Sequence, residues 1–322
     1  MSLQLRKFFI SLLQVALLAG IMVGIVFLAI RPDPENYFAG SLLQVELLEK
    51  TPSPRIILIG GSNVAFGLDA ELMQQTLGIP VINDGLHAGL GVAPLRELED
   101  YIRAGDVIII SLEYSIFINK SAMEGDPSVL SDWIEYSARR TKYLTNPWIE
   151  TPGLYATMLQ RKVNRQLNSF LFGGSLSEVR KIFSGSKFDA NGDFIGHLKR
   201  KSLARVKIIS APYLGTSTQE EIFAFLEDFQ RTAQELGARV YFEAPASRNT
   251  NCRATGEKRM EDFYRAIEKK SSIPVLTPLK QACMADKYFY DTPYHLNAEG
   301  RSIKTKHLIE NLLKLNVVPM QQ

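Results

Sequence analysis

The chain has 322 residues, 46% of them hydrophobic, enough to bury a substantial α/β core. Its 37 basic and 34 acidic residues leave a net charge of +3 and are interspersed, which excludes a nucleic-acid surface built on a run of like charge. The two cysteines, Cys252 and Cys283, fall in no C-x-x-C or zinc spacing, and their even number permits a disulfide in an oxidising compartment.

Phe8 to Ile30 contains no charged residue. As a helix rising about 1.5 Å per residue it spans a hydrocarbon core of roughly 30 Å. It exceeds the ~7–15-residue apolar region of a secretory signal, and no small-x-small cleavage pattern follows it. Residues 8–30 are therefore expected to form an uncleaved transmembrane anchor. Arg6 and Lys7 precede it, while Arg31 is soon joined by Asp33 and Glu35. That asymmetry predicts a cytoplasmic N-terminus, residues 1–7, and an extracytoplasmic domain, periplasmic or at the cell surface. Residues 31–54 read as a linker: Pro32 and Pro34 break the helix, 36–50 carry a weak helical pattern expected to pack on the domain or the bilayer surface, and Thr51-Pro-Ser-Pro54 is an extended lead into the domain.

From 55 to 322 the pattern alternates. Short apolar runs at Arg55–Ile59, Val81–Asn83, Asp106–Leu112, Arg239–Glu243 and Pro274–Thr277 read as buried parallel strands. Helical stretches at Asp69–Leu77, Pro94–Ala104 and Gln219–Leu236 each stop at a glycine. Such alternation predicts one α/β domain with a parallel sheet of about five strands and helices on both faces. The aromatic-rich interval of about 116–217 interrupts the rhythm. It reads as a helical insertion over the carboxyl edge of the sheet, its aromatics serving mainly its own packing. The basic residues Lys199, Arg200, Lys201, Arg205 and Lys207 within it read as a solvated helix face.

Ligands of open parallel sheets bind beyond the carboxyl ends of the strands. Ser62 follows the first strand there, after Gly60 and Gly61, which are expected to let the backbone turn sharply and a substrate come close. A serine nucleophile needs a base. Of the four histidines, His307 sits on a helical face and His197 in the insertion. His295 follows the last strand, and Asp291 is near enough to bond one ring nitrogen so that the other can take the serine proton. Glu113, at the top of a buried strand, reads equally as a site acid and as a rim carboxylate paired with Arg139 or Arg140. His87 reads as a loop residue or a neighbour of the site. With no G-x-G-x-x-G, G-x-x-x-x-G-K-[ST] or H-E-x-x-H, neither a nucleotide cofactor nor a catalytic metal is expected.

Gly60-Gly-Ser62-Asn63, Asn83-Asp-Gly85-Leu-His-Ala-Gly89 and Asp291…His295-Leu-Asn297-x-x-Gly300 resemble, in order and spacing, blocks of the SGNH/GDSL hydrolases. The resemblance covers about residues 52–115 and 238–316. It implies a flavodoxin-like three-layer α/β/α fold with Ser62 as nucleophile, His295 as base and Asp291 as its orienter. It also implies an oxyanion hole made by the Ser62 N–H with that of Gly89, or in reserve Gly85. The family's Gly-x-Asn-Asp block is replaced by Ser111-Leu-Glu113-Tyr114-Ser115, so its amide donor is missing, with Asn63 or Tyr114 as substitutes. Asn297 is a further site-lining candidate. The acid lies four residues before the histidine instead of three. A membrane anchor on such a domain resembles the DltD-like proteins that work beside membrane-bound O-acyltransferases. That implies an O-acyl esterase or acyltransferase acting on a cell-envelope glycan or polymer through an acyl-serine. The alternatives are a non-catalytic envelope protein that binds glycan or such an acyltransferase, and a membrane-proximal lipase or thioesterase.

Overall fold

The computed structural model describes residues 3–29, 31–118, 122–172, 182–202 and 211–317. Ile30, Arg205 and Lys207 lie outside them. The chain opens with α1 (Leu3–Ala29), within which Gln4–Met22 has a mean hydropathy of 1.7 and no buried share. Among the described residues it is the one helix long and apolar enough to cross a membrane. A 3₁₀ turn capped by Asn36 leads into α2 (Gly40–Lys50). This helix packs on the domain, one of the two placements expected of it: buried Gln44 donates to the carbonyls of Asn83 and Gly85 at 3.2 and 2.7 Å.

The domain continues through β1 (Ile56–Gly60), α3 (Ser62–Gly67), α4 (Ala70–Leu77), β2 (Val81–Gly85), α5 (Ala93–Glu99) and β3 (Val107–Ser111). The insertion contributes α6 (Pro127–Glu135) and α7 (Pro147–Phe172). Then come α8 (Ser217–Glu235), β4 (Arg239–Phe242), β5 (Ser247–Arg248), α9 (Asn249–Thr255), α10 (Glu257–Ser271), α11 (Leu279–Ala282), β6 (Cys283–Met284) and α12 (Ala298–Lys314). The predicted helix 94–104 ends early, at Glu99, because the chain turns there and the Tyr101 carbonyl accepts from Arg55 at 2.7 Å.

The main sheet is parallel, in the order β2-β1-β3-β4. The expected fifth strand is present as a single parallel bridge, Val275 to Phe242, on the outer side of β4. Side chains alternate across the sheet as a half-turn period requires. Ile57, Ile59, Ile108 and Ile110 face a core with α5, α8 and α10, while Ile56, Leu58, Val107 and Ile109 face one with α4 and α12. The result is a doubly wound three-layer α/β/α fold. Arg55 and Asp106, both fully buried, pair beneath the amino ends of β1 and β3. Cys252 and Cys283 form a disulfide with Cα atoms 6.2 Å apart, tying α9 to β6.

The insertion gives the sheet a cover at its open edge. Asn83 of β2 donates its N–H to Asn191, and Phe194 donates to Ala65 of α3. Between them Asp193, fully buried, accepts from Asn83 Nδ2 at 2.6 Å, Ala70 N at 2.8 Å and Arg301 Nη2 at 2.7 Å. Burial pushes the Asp193 carboxyl upward, against the opposing pull of the Arg301 guanidinium. Breaking a buried pair on one side strands a charge, at about 3–5 kcal/mol. Arg301→Met should therefore lower the urea midpoint of the detergent-solubilised chain by an amount equivalent to about 3 kcal/mol or more. Arg301→Met with Asp193→Leu should recover part of the loss. Equal loss in single and double variants would contradict the pairing argument.

Candidate active site

The site lies where β1, β2 and β3 end in register, at Gly60, Gly85 and Ser111. A Cβ on Gly60 would stand 2.1 Å from the Ser111 carbonyl, and one on Gly61 would meet the backbone nitrogen of Ala88 at 3.0 Å. The two glycines thus serve close approach. Neither has a positive φ, so the sharp turn expected of them is not their role. Ser62 follows at the first position of α3, where a backbone N–H has no intrahelical acceptor.

The Ser62 hydroxyl donates to Glu113 Oε1 at 3.2 Å, and the Asn63 N–H to the same oxygen at 3.4 Å. Glu113 is buried, and desolvation raises its pKa, partly opposed by the positive field of His295 and the bond from Ser62. Among the described residues it pairs with no insertion arginine: Arg140 lies over the Trp133 ring and donates to Glu97 at 3.0 Å.

His295 arrives from the far end of the chain on a tight loop. The loop is closed by the bridge between Phe289 and Leu296 and by the Tyr290 N–H donating to the His295 carbonyl at 2.8 Å. Thr292 Oγ1 accepts from the backbone N–H groups of Tyr294 and His295, which turns the ring back toward Asp291. Nδ1 then meets Asp291 Oδ1 at 2.7 Å, so the four-residue spacing closes on a hydrogen bond. The imidazole stacks on Phe66, centroids 3.9 Å apart and planes 12° from parallel. Phe66 is one helical turn beyond Ser62, so this stacking holds the histidine against the helix that begins with the serine. Among the described residues no hydrogen bond joins Ser62 to His295: the hydroxyl rests on Glu113 instead.

The other expected site residues divide. Burial lowers the His87 pKa, and the nearby His295 ring lowers it further. Its neutral Nδ1 accepts the Gly89 N–H at 3.0 Å, while the Gly85 N–H goes to Asn83 Oδ1 at 2.9 Å. Both glycine donors are thus already engaged. Gly85 moreover packs beneath Val64 and Ala65 of α3. Asn63 spends its amide on Ser111, at 2.9 and 3.2 Å, and is no substitute donor. Tyr114 turns into the core, where its hydroxyl meets that of Tyr264 at 2.6 Å. Asn297 caps α12, accepting from Gly300 N at 3.0 Å, and so serves the helix and not the site.

Sequence reasoning missed three contributors. The N–H groups of Ser62 and Ala88 both lack a hydrogen-bond acceptor among the described residues and lie beside the same glycine, which makes Ala88 a candidate second backbone donor. The four-residue interval from Ser62 to Phe66 was a signal for the stacking partner. His197 was assigned no role; it is buried, with Nε2 at 2.9 Å from the Leu296 carbonyl and its ring on Phe66 and Phe194. Burial pushes its pKa down to about 4, so it stays neutral and donates from Nε2, steadying the residue next to His295. Among the described residues no His/Cys/Asp/Glu cluster could hold a metal.

The chain matches no protein-family model and no curated protein. Among solved structures it is similar to the YxiM protein of Bacillus subtilis, at 11% identity and a TM-score of 0.35. The match covers 82% of this chain and 57% of that one, so this chain spans little more than half the length of that protein. A likeness of this size carries no functional inference.

A carboxyl whose pKa is raised by folding favours the folded state most below its unfolded pKa, and that advantage is lost as pH rises through the folded value. Glu113→Gln removes the buried charge. It should leave the melting temperature unchanged near pH 4 and raise it by a margin that grows toward pH 8, measured by thermal unfolding in detergent. A margin independent of pH would contradict a burial penalty on this carboxylate.

Proposed function

We propose that the protein is a membrane-anchored, extracytoplasmic serine O-acyl esterase or acyltransferase of SGNH type. Its substrate class is a cell-envelope glycan or polymer carrying ester-linked acyl groups. The observation that carries this reading is the stacking of His295, oriented by Asp291, on the helix that Ser62 begins. The apolar length of α1 supports the anchor, and the Cys252–Cys283 disulfide suits an oxidising compartment.

In this mechanism the Ser62 hydroxyl leaves Glu113 and donates to His295 Nε2. His295 takes the proton as Oγ attacks the acyl carbon, and Asp291 stabilises the imidazolium that forms. The carbonyl oxygen, now anionic, is met by the N–H groups of Ser62 and Ala88. Collapse expels the alcohol, which leaves with the proton held on His295, and the acyl group remains on Ser62. Water or a sugar hydroxyl then repeats the sequence, yielding free acid or a transferred ester. Glu113, freed of the serine proton, can accept the hydrogen bond of that incoming hydroxyl. A carboxylate here replaces the family's amide donor, which shifts the site from stabilising an oxyanion toward holding a hydroxyl.

One observation favours a second reading, a non-catalytic envelope protein that binds glycan or a membrane-bound O-acyltransferase: the Ser62 hydroxyl is engaged by Glu113 and not by its base. A fluorophosphonate probe on the purified full chain separates the two. The catalytic reading expects an adduct on Ser62, abolished by Ser62→Ala. It also expects Asp291→Asn to slow labelling by about 10³-fold or more, from a wrongly held ring. Folded protein that never labels would leave the binding reading. Turnover of long-chain esters above acetate would point instead to a lipase or thioesterase.

A further inference from the structure

The helix α7 buries Leu154 and Met158 against the domain, yet it turns its charges to that same side. Its four charged residues are Glu150, Arg161, Lys162 and Arg165. Glu150 caps the helix start, accepting from Asn146 N at 2.6 Å. Arg161 pairs with Asp132 at 2.5 Å, and Lys162 and Arg165 pair with Glu135 of α6 at 3.6 and 2.6 Å. Every charge is thus turned toward the domain or the helix end. Ile149, Ala156, Gln160, Val163, Leu167 and Leu171 recur at helical spacing on the opposite side, all exposed and none charged. Ile149 is 80% exposed, Leu167 51% and Leu171 64%, and Trp148 beside them is 94% exposed. A helix on a soluble surface normally places its charges outward and its apolar stripe inward.

We infer that this outer face of α7 lies in the surface of the bilayer that α1 crosses. The occupant follows from what α7 adjoins. It packs beside α1, the helix of membrane-spanning length, yet α1 leaves these side chains uncovered. A helix lying in the membrane interface presents Trp and Leu to the acyl boundary, about 5–10 Å deep, and basic residues on the other side. Trp148, at the end of such a face, takes the headgroup-level position its amphipathic ring prefers. At 26 residues the helix is about 39 Å long, so the contact would fix the orientation of the domain on the membrane and not merely its distance. The inference needs a bilayer around α1 but not the acyl chemistry.

Only two tryptophans exist, and Trp133 is buried, so Trp148 reports alone in Trp133→Phe. The full chain carrying that substitution is placed in phosphatidylcholine/phosphatidylglycerol nanodiscs with and without lipids brominated near the top of the acyl chain. Insertion to the depth of an interfacial helix should cut Trp148 emission about twofold in brominated discs and shield it from aqueous iodide. Emission open to iodide and indifferent to bromine would place the face in water and overturn the inference. Shielding from both quenchers would mean that protein covers it, which overturns it as well. Should Trp133→Phe fail to fold, the difference between the wild-type chain and Trp148→Phe gives the same signal. Because the readout is fluorescence, its failure leaves the labelling of Ser62 standing, and the reverse holds.

Discussion

One buried carboxylate fastens the two halves of the candidate site to each other. Asp193 binds Arg301 in the first turn of α12, just after the loop that carries His295, and Asn83, whose amide also holds the Val64 carbonyl of α3. Arg301 reaches on to the Leu68 carbonyl at the end of that same short helix. On its other side α12 is held by buried Lys304, which pairs with Glu243 and donates to the Ala244 carbonyl at 2.8 Å. The serine-bearing helix and the histidine-bearing loop, more than two hundred residues apart, are therefore referenced to common buried charges. Such groups are costly to desolvate and tolerate few geometries, which makes them poor sources of stability but firm determinants of register.

Within that frame the position of Glu113 is the unusual element. It sits above β3 where an amide donor was expected from the family resemblance, buried and free of any arginine among the described residues. It feels the positive field of His295 and accepts from the Ser62 hydroxyl. A carboxylate so placed competes with the imidazole for the serine proton. The proposed mechanism turns that competition into a resting state and gives the vacated acceptor a partner in the second half of the cycle.

Much of the fold was legible because its signals are local. Isoleucine-rich runs ending at turn residues marked β1 and β3, and left-handed glycines such as Gly78 closed helices where the sequence placed their ends. The pairing of His295 with Asp291 was legible too, since both lie just before a final helix whose identity was clear. What escaped depends on contacts remote in sequence. Nothing around Asp193 announces a partner at Arg301, and the donor role of Ala88 appears only once Gly61 is seen against it. Glu113 could be flagged by its buried strand, but its partner could not. Between a site acid and a rim carboxylate paired with an arginine, the insertion bears on the choice by holding Arg140 over Trp133.

The link between α9 and β6 closes a segment of the chain around α10, whose Met260, Phe263 and Ile267 fill one face of the sheet. Two thiols separated by 31 positions restrict the unfolded chain by about 3–4 kcal/mol when joined, on the entropic account. A polypeptide retained where glutathione keeps thiols reduced would have to seat that core helix without this restraint. Oxidation of this pair thereby couples the redox state of the chain to completion of the layer that backs the sheet.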